Sequence, residues 1–283
     1  MYPSVLHNFE SHSACNHQSF TNLPPDQMAS SNRLLYVAGA LTPFTERSSL
    51  AALTRSLPEQ IQNAGDFEVR IMMPCYGDIN ERKHNLHEVI RLSDTEVPMG
   101  TETESVSVKV ASVPDVQLQV YFMDHDGYFG RKGQITDSDG NAFEDNADRA
   151  LFFNRSVMET LRKLRWGPDL IHSFGWISGL LPTLLSTTYA DDDLFGSTKS
   201  VFTPGGQAPE TRLGSAFADR MGLPLDGNAG ATLSEIGHTY ADATIFPPDG
   251  TPTDGTPQFG EDNGARTEQA VTLYDQMLGE VPA

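Results

Sequence analysis

From Arg33 onward, short strand-like runs alternate with helix-like ones, and this alternation limits the chain to very few architectures. The strand-like runs are RLLYVAG (33–39), FEVRIMM (67–73), VSVKVAS (106–112), QLQVYFM (117–123), DLIHSF (169–174), KSVFT (199–203) and DATIF (242–246). Most are short and rich in β-branched or aromatic residues. Leu50, Leu53 and Leu57 recur at helical steps after the first of them, with Pro58 expected to start a fresh turn. Ala150, Phe153, Val157, Leu161 and Leu164 mark a second helix that Asp145 or Asn146 can cap. Strands separated by helices in this order predict an α/β fold: a Rossmann-like, doubly wound, mostly parallel sheet.

Residues 1–32 are polar and irregular and are expected to be a disordered tail, with Met28 an alternative start. Its His12, Cys15 and His17 have no second cluster to complete a metal site, so no metal is expected. The folded domain is expected over 33–246. Residues 247–265 are rich in Pro, Gly, Asp and Thr and read as a flexible linker. An amphipathic helix over 266–283 then docks back on the domain or meets a partner.

Thirty-eight acidic against 19 basic residues leave a net charge of -19, which repels phosphate backbones and anionic lipid. Nucleic acid and membrane are therefore excluded as partners. An acidic surface suits high cytosolic salt, where self-repulsion is screened, and a halophilic source is expected. No apolar run reaches the roughly 18–20 residues of a membrane span, and the N-terminus has no secretory pattern, so a cytoplasmic location is expected. Cys15 and Cys75 imply no disulfide framework.

The opening strand, loop and helix, RLLYVAGALTPFTERSSLAAL (33–53), contains Gly39 alone, so the dinucleotide fingerprint is absent, and no GxxxxGK[ST] loop exists elsewhere. In HSFGWISGL (172–180), Ser178 falls in GxxSG and not in GxSxG, which gives the wrong geometry for a hydrolase nucleophile. His172 and Trp176 are either a polar and a stacking group at a cleft edge or a buried strand-end histidine beside a core tryptophan.

In order along the chain, VRIMMPCYGDI, VYFMDHDGYFGRKG, FEDNADRALFFNRS, LRWGPDLIHSFGWISGLLP and KSVFT resemble successive blocks of the bacterial glycogen and starch synthases. These are two-domain retaining glycosyltransferases of the GT-B fold. The likeness spans about Arg33 to Thr203, with a weaker echo in YADATIF, and implies a single N-terminal GT-B-type domain acting in glycogen metabolism.

The same likeness implies that the chemistry has changed. The family's Lys-Thr-Gly-Gly-Leu loop, whose glycine amides and lysine hold the donor diphosphate, becomes Glu46, Arg47, Ser48, Ser49 and Leu50. Its His-x-His-Asp-Trp-His-x-Gly-Leu becomes His172, Phe174, Gly175, Trp176, Ile177, Gly179 and Leu180. Its Thr-x-His-Asn becomes Thr203 to Gly206, and its Gly-Leu-Tyr-Gly becomes Gly133, Gln134, Ile135 and Thr136. The second domain that completes the family's donor site is expected to be missing.

The expected protein is a glycogen synthase-like, glucan-binding or regulatory partner, impaired as a catalyst by itself. A half-synthase that transfers glucose from ADP-glucose or UDP-glucose when paired with another chain, and a sugar-nucleotide binder without transfer, are the alternatives. Its partners are then an α-glucan or ADP-glucose, and a partner synthase chain or a second copy of itself. No catalytic residue and no cofactor are assigned. The residues expected to line the cleft are Asp124, His125, Tyr128, Asp145, Asn146, Arg149, His172 and Trp176, with Glu46, Arg47, Ser48 and Ser49 as a degenerate donor loop.

Overall fold

The computed structural model describes residues 31–279, apart from 115, 117, 207–210, 226, 253 and 254. The expected tail, and the His12, Cys15 and His17 group in it, lie outside the described residues except for its last two positions. Asn32 already begins the first strand.

Among the described residues nine strands form one sheet: β1 (Asn32–Ala38), β2 (Phe67–Pro74), β3 (His87–Glu88), β4 (Thr95–Met99), β5 (Glu102–Ser112), β6 (Gln119–Asp124), β7 (Leu170–Phe174), β8 (Lys199–Thr203) and β9 (Ala243–Thr244). Their order is β3-β5-β6-β2-β1-β7-β8-β9, with β4 paired to β5. From β6 to β9 every neighbouring pair is parallel. β5 runs antiparallel to β6, β3 and β4 and closes one edge. The α/β, mostly parallel sheet expected from the alternation is thus present.

The central strands are buried on both faces, as parallel strands flanked by helices must be. Leu34 to Ala38 of β1 and all of Leu170 to Phe174 of β7 are buried. The helices are α1 (Ser49–Ala64), α2 (Glu81–His84), α3 (Asp126–Phe129), α4 (Asn146–Leu164), α5 (Leu181–Ser186), α6 (Ser215–Met221), α7 (Leu233–Tyr240) and α8 (Asn263–Leu278).

Pro58 does not start a new turn; it lies inside one continuous α1. The buried stripe of Leu50, Leu53, Leu57 and Ile61 runs past it on both sides, and packing of that stripe outweighs the hydrogen bond that proline removes. α4 follows its expected period.

The stretch read as a flexible linker is, in its described part, a hydrogen-bonded loop. Gln258 Nε2 donates to the carbonyls of Pro247, Pro248 and Gly250, and Phe259 N donates to Phe246 O. Phe259 is buried against the sheet. One glutamine answering three carbonyls gives proline- and glycine-rich backbone a fixed shape. Asp262 caps α8, whose Ala270 and Tyr274 are buried, so this helix docks on the domain, starting three residues before the expected 266.

Candidate functional site

The chain leaves β1 for β2 on one side, and after β6 returns to place β7 on the other side of β1. Such a reversal opens a crevice at the carboxyl ends of the strands, where ligands bind in doubly wound folds. A cleft of about 810 Å³ lies there. Its walls are the loop after β1 (Gly39 to Leu50), the loop and turn after β2 (Tyr76 to His84), residues 133–137, the turn after β7 (Phe174 to Ile177), and Gly205 and Gly206 after β8.

The loop after β1 is set by local bonds. Thr45 Oγ1 accepts from Leu41 N at 3.0 Å, and Ser48 Oγ accepts from Ala51 N at 3.1 Å as the N-cap of α1. Ser49 Oγ donates to Asp249 Oδ2 at 2.5 Å. Glu46 and Arg47 are exposed at the mouth. Close approach explains two glycines: a Cβ on Gly39 would lie 2.6 Å from Ile177 Cγ2, and one on Gly175, at φ +76, 3.0 Å from Leu50 Cδ2.

Opposite stands the turn after β2. Asp78 Oδ2 accepts from Gly133 N at 2.6 Å, tying this turn to the third wall. Lys83 and His84 come from α2, and His84 packs edge-on against Phe44. Partial burial, then the neighbouring Lys83 ammonium, holds the His84 imidazole below its ordinary range, which favours the neutral form. The cleft therefore combines an aromatic floor with amide and hydroxyl groups from Gln134 and Thr136, and mixed charge at its rim.

Of the residues expected at the site, Glu46, Arg47, Ser48 and Trp176 line this cleft, and Ser49 adjoins it. The other seven are held elsewhere by identifiable partners. Asp124 pairs with Lys109 at 2.7 Å. His125 caps α3 through Tyr128 N and packs on Phe152, on which Tyr128 also stacks at 4.3 Å. Burial and nearby carboxylates, Glu104 first among them, push the Tyr128 hydroxyl up to about 12.

Asp145 stands at the N-cap position of α4 without capping it, because its carboxylate pairs with Arg131. Asn146 begins that helix and spans two groups, donating to Ile135 O and accepting from Arg149. Arg149 is wholly buried, and instead of a salt bridge it donates to Tyr128 O, Gln134 O and Asn146 Oδ1, each at 2.8 Å. Asn146 and Arg149 thus hold the 134–135 wall from behind rather than lining the cleft.

His172 is the buried strand-end histidine of the two readings. Its Nδ1 lies 2.6 Å from Tyr274 Oη and its Nε2 2.7 Å from Thr203 Oγ1. Tyr274 Oη in turn lies 3.0 Å from Tyr36 Oη.

Sequence reasoning missed Asp78, Lys83, His84 and Asp249. The first three follow β2, the strand beside the reversal, and that position was their signal. Asp249 reaches Ser49 across 200 residues and had none.

Residues 33–245 match the family model described as the starch synthase catalytic domain. The chain belongs to that family. Within it, the chain is 46% identical over 172 residues to the glycogen synthase of Chlorobium limicola and 45% identical over 172 residues to that of Chlorobaculum tepidum. Each alignment takes in 60% of this chain and 35% of the relative, so the chain spans about a third of the length of the curated relatives it matches. The catalytic domain of starch synthase IV from Arabidopsis thaliana, solved bound to ADP and acarbose, superimposes with a TM-score of 0.65 at 17% identity. That likeness covers 88% of this chain and 50% of the plant chain and shows a shared fold. The starch synthase family match reaches 42 residues beyond Thr203 and includes the YADATIF echo except for its last residue, Phe246. Among the described residues no helix is long and apolar enough to cross a membrane.

Proposed function

We propose that this chain serves α-glucan metabolism in the cytoplasm as a glucan-binding or regulatory member of the starch synthase family, and is a poor transferase by itself. One observation carries the reading: the start of α1 is already occupied. Ser48 caps the helix, Ser49 holds the Asp249 carboxylate, and Glu46 adds a second negative charge at the mouth. A helix N-terminus attracts anions through its free amides and dipole, and two carboxylates there oppose a diphosphate. What remains suits a sugar: Trp176 for stacking, with Gln134, Thr136 and Asp78 as hydrogen-bonding groups.

The test is transfer of labelled glucose from ADP-glucose and UDP-glucose to glycogen, at low and at molar KCl. No transfer above a boiled control is expected from protein whose fold is verified by circular dichroism. The same protein is expected to be retarded in a glycogen affinity gel, with W176A reducing the retardation several-fold. Transfer by the purified chain would overturn the impaired reading, and unretarded migration would remove the glucan.

A second reading, sugar-nucleotide binding without transfer, is favoured by Arg47 and Lys83, which line the cleft without an ion-pair partner among the described residues. Measurable ADP-glucose binding in the absence of glucan binding would select it. The net charge of -19 also supports a halophilic origin. The thermal midpoint is accordingly expected to rise between millimolar and molar KCl as self-repulsion is screened, and a flat response would contradict that origin.

A further inference from the structure

We propose that Lys109, which lies outside the cleft, is a positioning residue for it: shared between Glu81 and Asp124, its ammonium fixes α2 as the wall that presents Lys83 and His84. The four residues of α2 are all unburied, so no apolar face docks it, and a helix this short is not held by its own hydrogen bonds. Asn80 Oδ1 caps it by accepting from Lys83 N. Two contacts reach further. The His84 ring meets Phe44 edge-on with centroids 5.0 Å apart, and Glu81 Oε1 accepts from Lys109 Nζ at 2.7 Å.

The sheet sets Lys109 up for this bond. On β5 it sits between the buried Val108 and Val110 and opposite Phe122, so Asp124, two residues further along β6, is its diagonal neighbour on the same face. Asp124 Oδ2 holds the ammonium at 2.7 Å and aims it before α2 is engaged. Burial alone would draw the Lys109 ammonium down, but its bonds to Asp124 and Glu81 hold it above its ordinary range, so it is charged at neutral pH. Glu81 and Asp124 each lie 2.7 Å from this one cation, and without it two carboxylates face each other and push α2 away from β6. Asn80, Lys83 and His84 line the cleft while Lys109 and Glu81 do not, so the charge acts on the cleft through α2.

The effect on binding rests on the glucan reading above, whereas the placement of α2 does not. Limited digestion with trypsin, read by mass spectrometry at the bond after Lys83 and without glycogen, tests the placement in wild type, K109M, K109R, E81Q and D124N. A cut there requires α2 to open, and where reclosing is fast the cutting rate follows the open population. K109M is expected to be cut about five-fold faster, the scale of one lost ion pair. E81Q loses the pair without leaving facing carboxylates and is expected to fall between wild type and K109M. K109R keeps a cation for both partners and D124N keeps the bond to α2, so both are expected within about two-fold of wild type. Glycogen retardation of K109M is expected to weaken about three-fold, since the wall is correctly placed in fewer molecules, and that of K109R and D124N to match wild type. Equal cutting of wild type and K109M, an equal rise in D124N, or an equal rise at Lys163 on α4, which marks global unfolding, would overturn the clamp. Faster cutting with unchanged retardation would overturn the positioning role. An unretarded wild type would remove the glucan, and the cutting rates would still decide whether Lys109 sets α2.

Discussion

R149M is expected to lower stability toward urea by about 3 kcal/mol. Methionine keeps much of the stem's volume while withdrawing donors from Tyr128 O, Gln134 O and Asn146 Oδ1. Buried acceptors left without donors cost about 1–3 kcal/mol each. Part of that loss is offset, because the native guanidinium is itself strained by its surroundings. It is fully buried, among the described residues its Nη2 has no hydrogen-bond partner and no carboxylate stands within ion-pair distance, and burial draws it below its ordinary range. R149K can answer only one or two of the three acceptors and is expected to fall between wild type and R149M. Because the lost bonds hold residues 134 and 135, glycogen retardation is expected to weaken even where R149M remains folded. A shift of the urea midpoint worth less than about 1 kcal/mol would mean that the three carbonyls find other donors.

Arg149 also illustrates what could and could not be read from the sequence. Its place on the first turn of α4 follows from the period of Ala150, Phe153, Val157 and Leu161, all of them buried. The reading of Arg149 as a cleft residue failed because its acceptors, two backbone carbonyls and Asn146 Oδ1, hold it behind the wall, and no sequence pattern marks those carbonyls. Asp145 failed as a cap for the complementary reason: Arg131, fourteen residues upstream, takes its carboxylate.

The sheet was more legible. Seven of its strands coincide with apolar runs, and the reversal between β2 and β7 follows from where those runs lie relative to the helices. β4 escaped because Pro98 sits within it, a residue that argues against a strand. It survives at the edge, where Thr95, Val97 and Met99 point inward and the Pro98 carbonyl accepts from Arg155. The capping box of Thr232 and Glu235 at the start of α7 is legible in TLSE.

The site divides along a different line. Residues in the segments that follow the strand ends, Glu46 to Ser48 in the loop between β1 and α1 and Trp176 two residues past β7, reach the cleft. His172 lies two residues back from its strand end, roughly 6–7 Å deeper, where Tyr274 and Thr203 take both ring nitrogens. Tyr274 is 102 residues away in sequence, on a helix whose amphipathic pattern left docking on the domain and meeting a partner equally open.

That enclosure sets a pH limit on the fold. Burial drives the His172 imidazole well below its ordinary value, and the Tyr36, Phe174 and Phe259 rings around it offer no counter-charge. With the folded value depressed, the unfolded chain binds the proton first. The contribution is nil above the unfolded value near 6.5, and each pH unit below it costs about 1.4 kcal/mol until the folded value is reached. As pH falls from 7.5 to 5 the wild type is therefore expected to lose stability through this residue. H172Q keeps a donor and an acceptor for Tyr274 and Thr203 but cannot titrate. It is expected to be the less stable protein at pH 7.5 and to lose less stability on acidification, so that the two urea-derived stability curves converge toward pH 5. His84, also held below its ordinary range, is present in both proteins and cancels in the comparison. Parallel curves would show that the imidazole is protonated in the folded state, with both hydroxyls turned to accept from it.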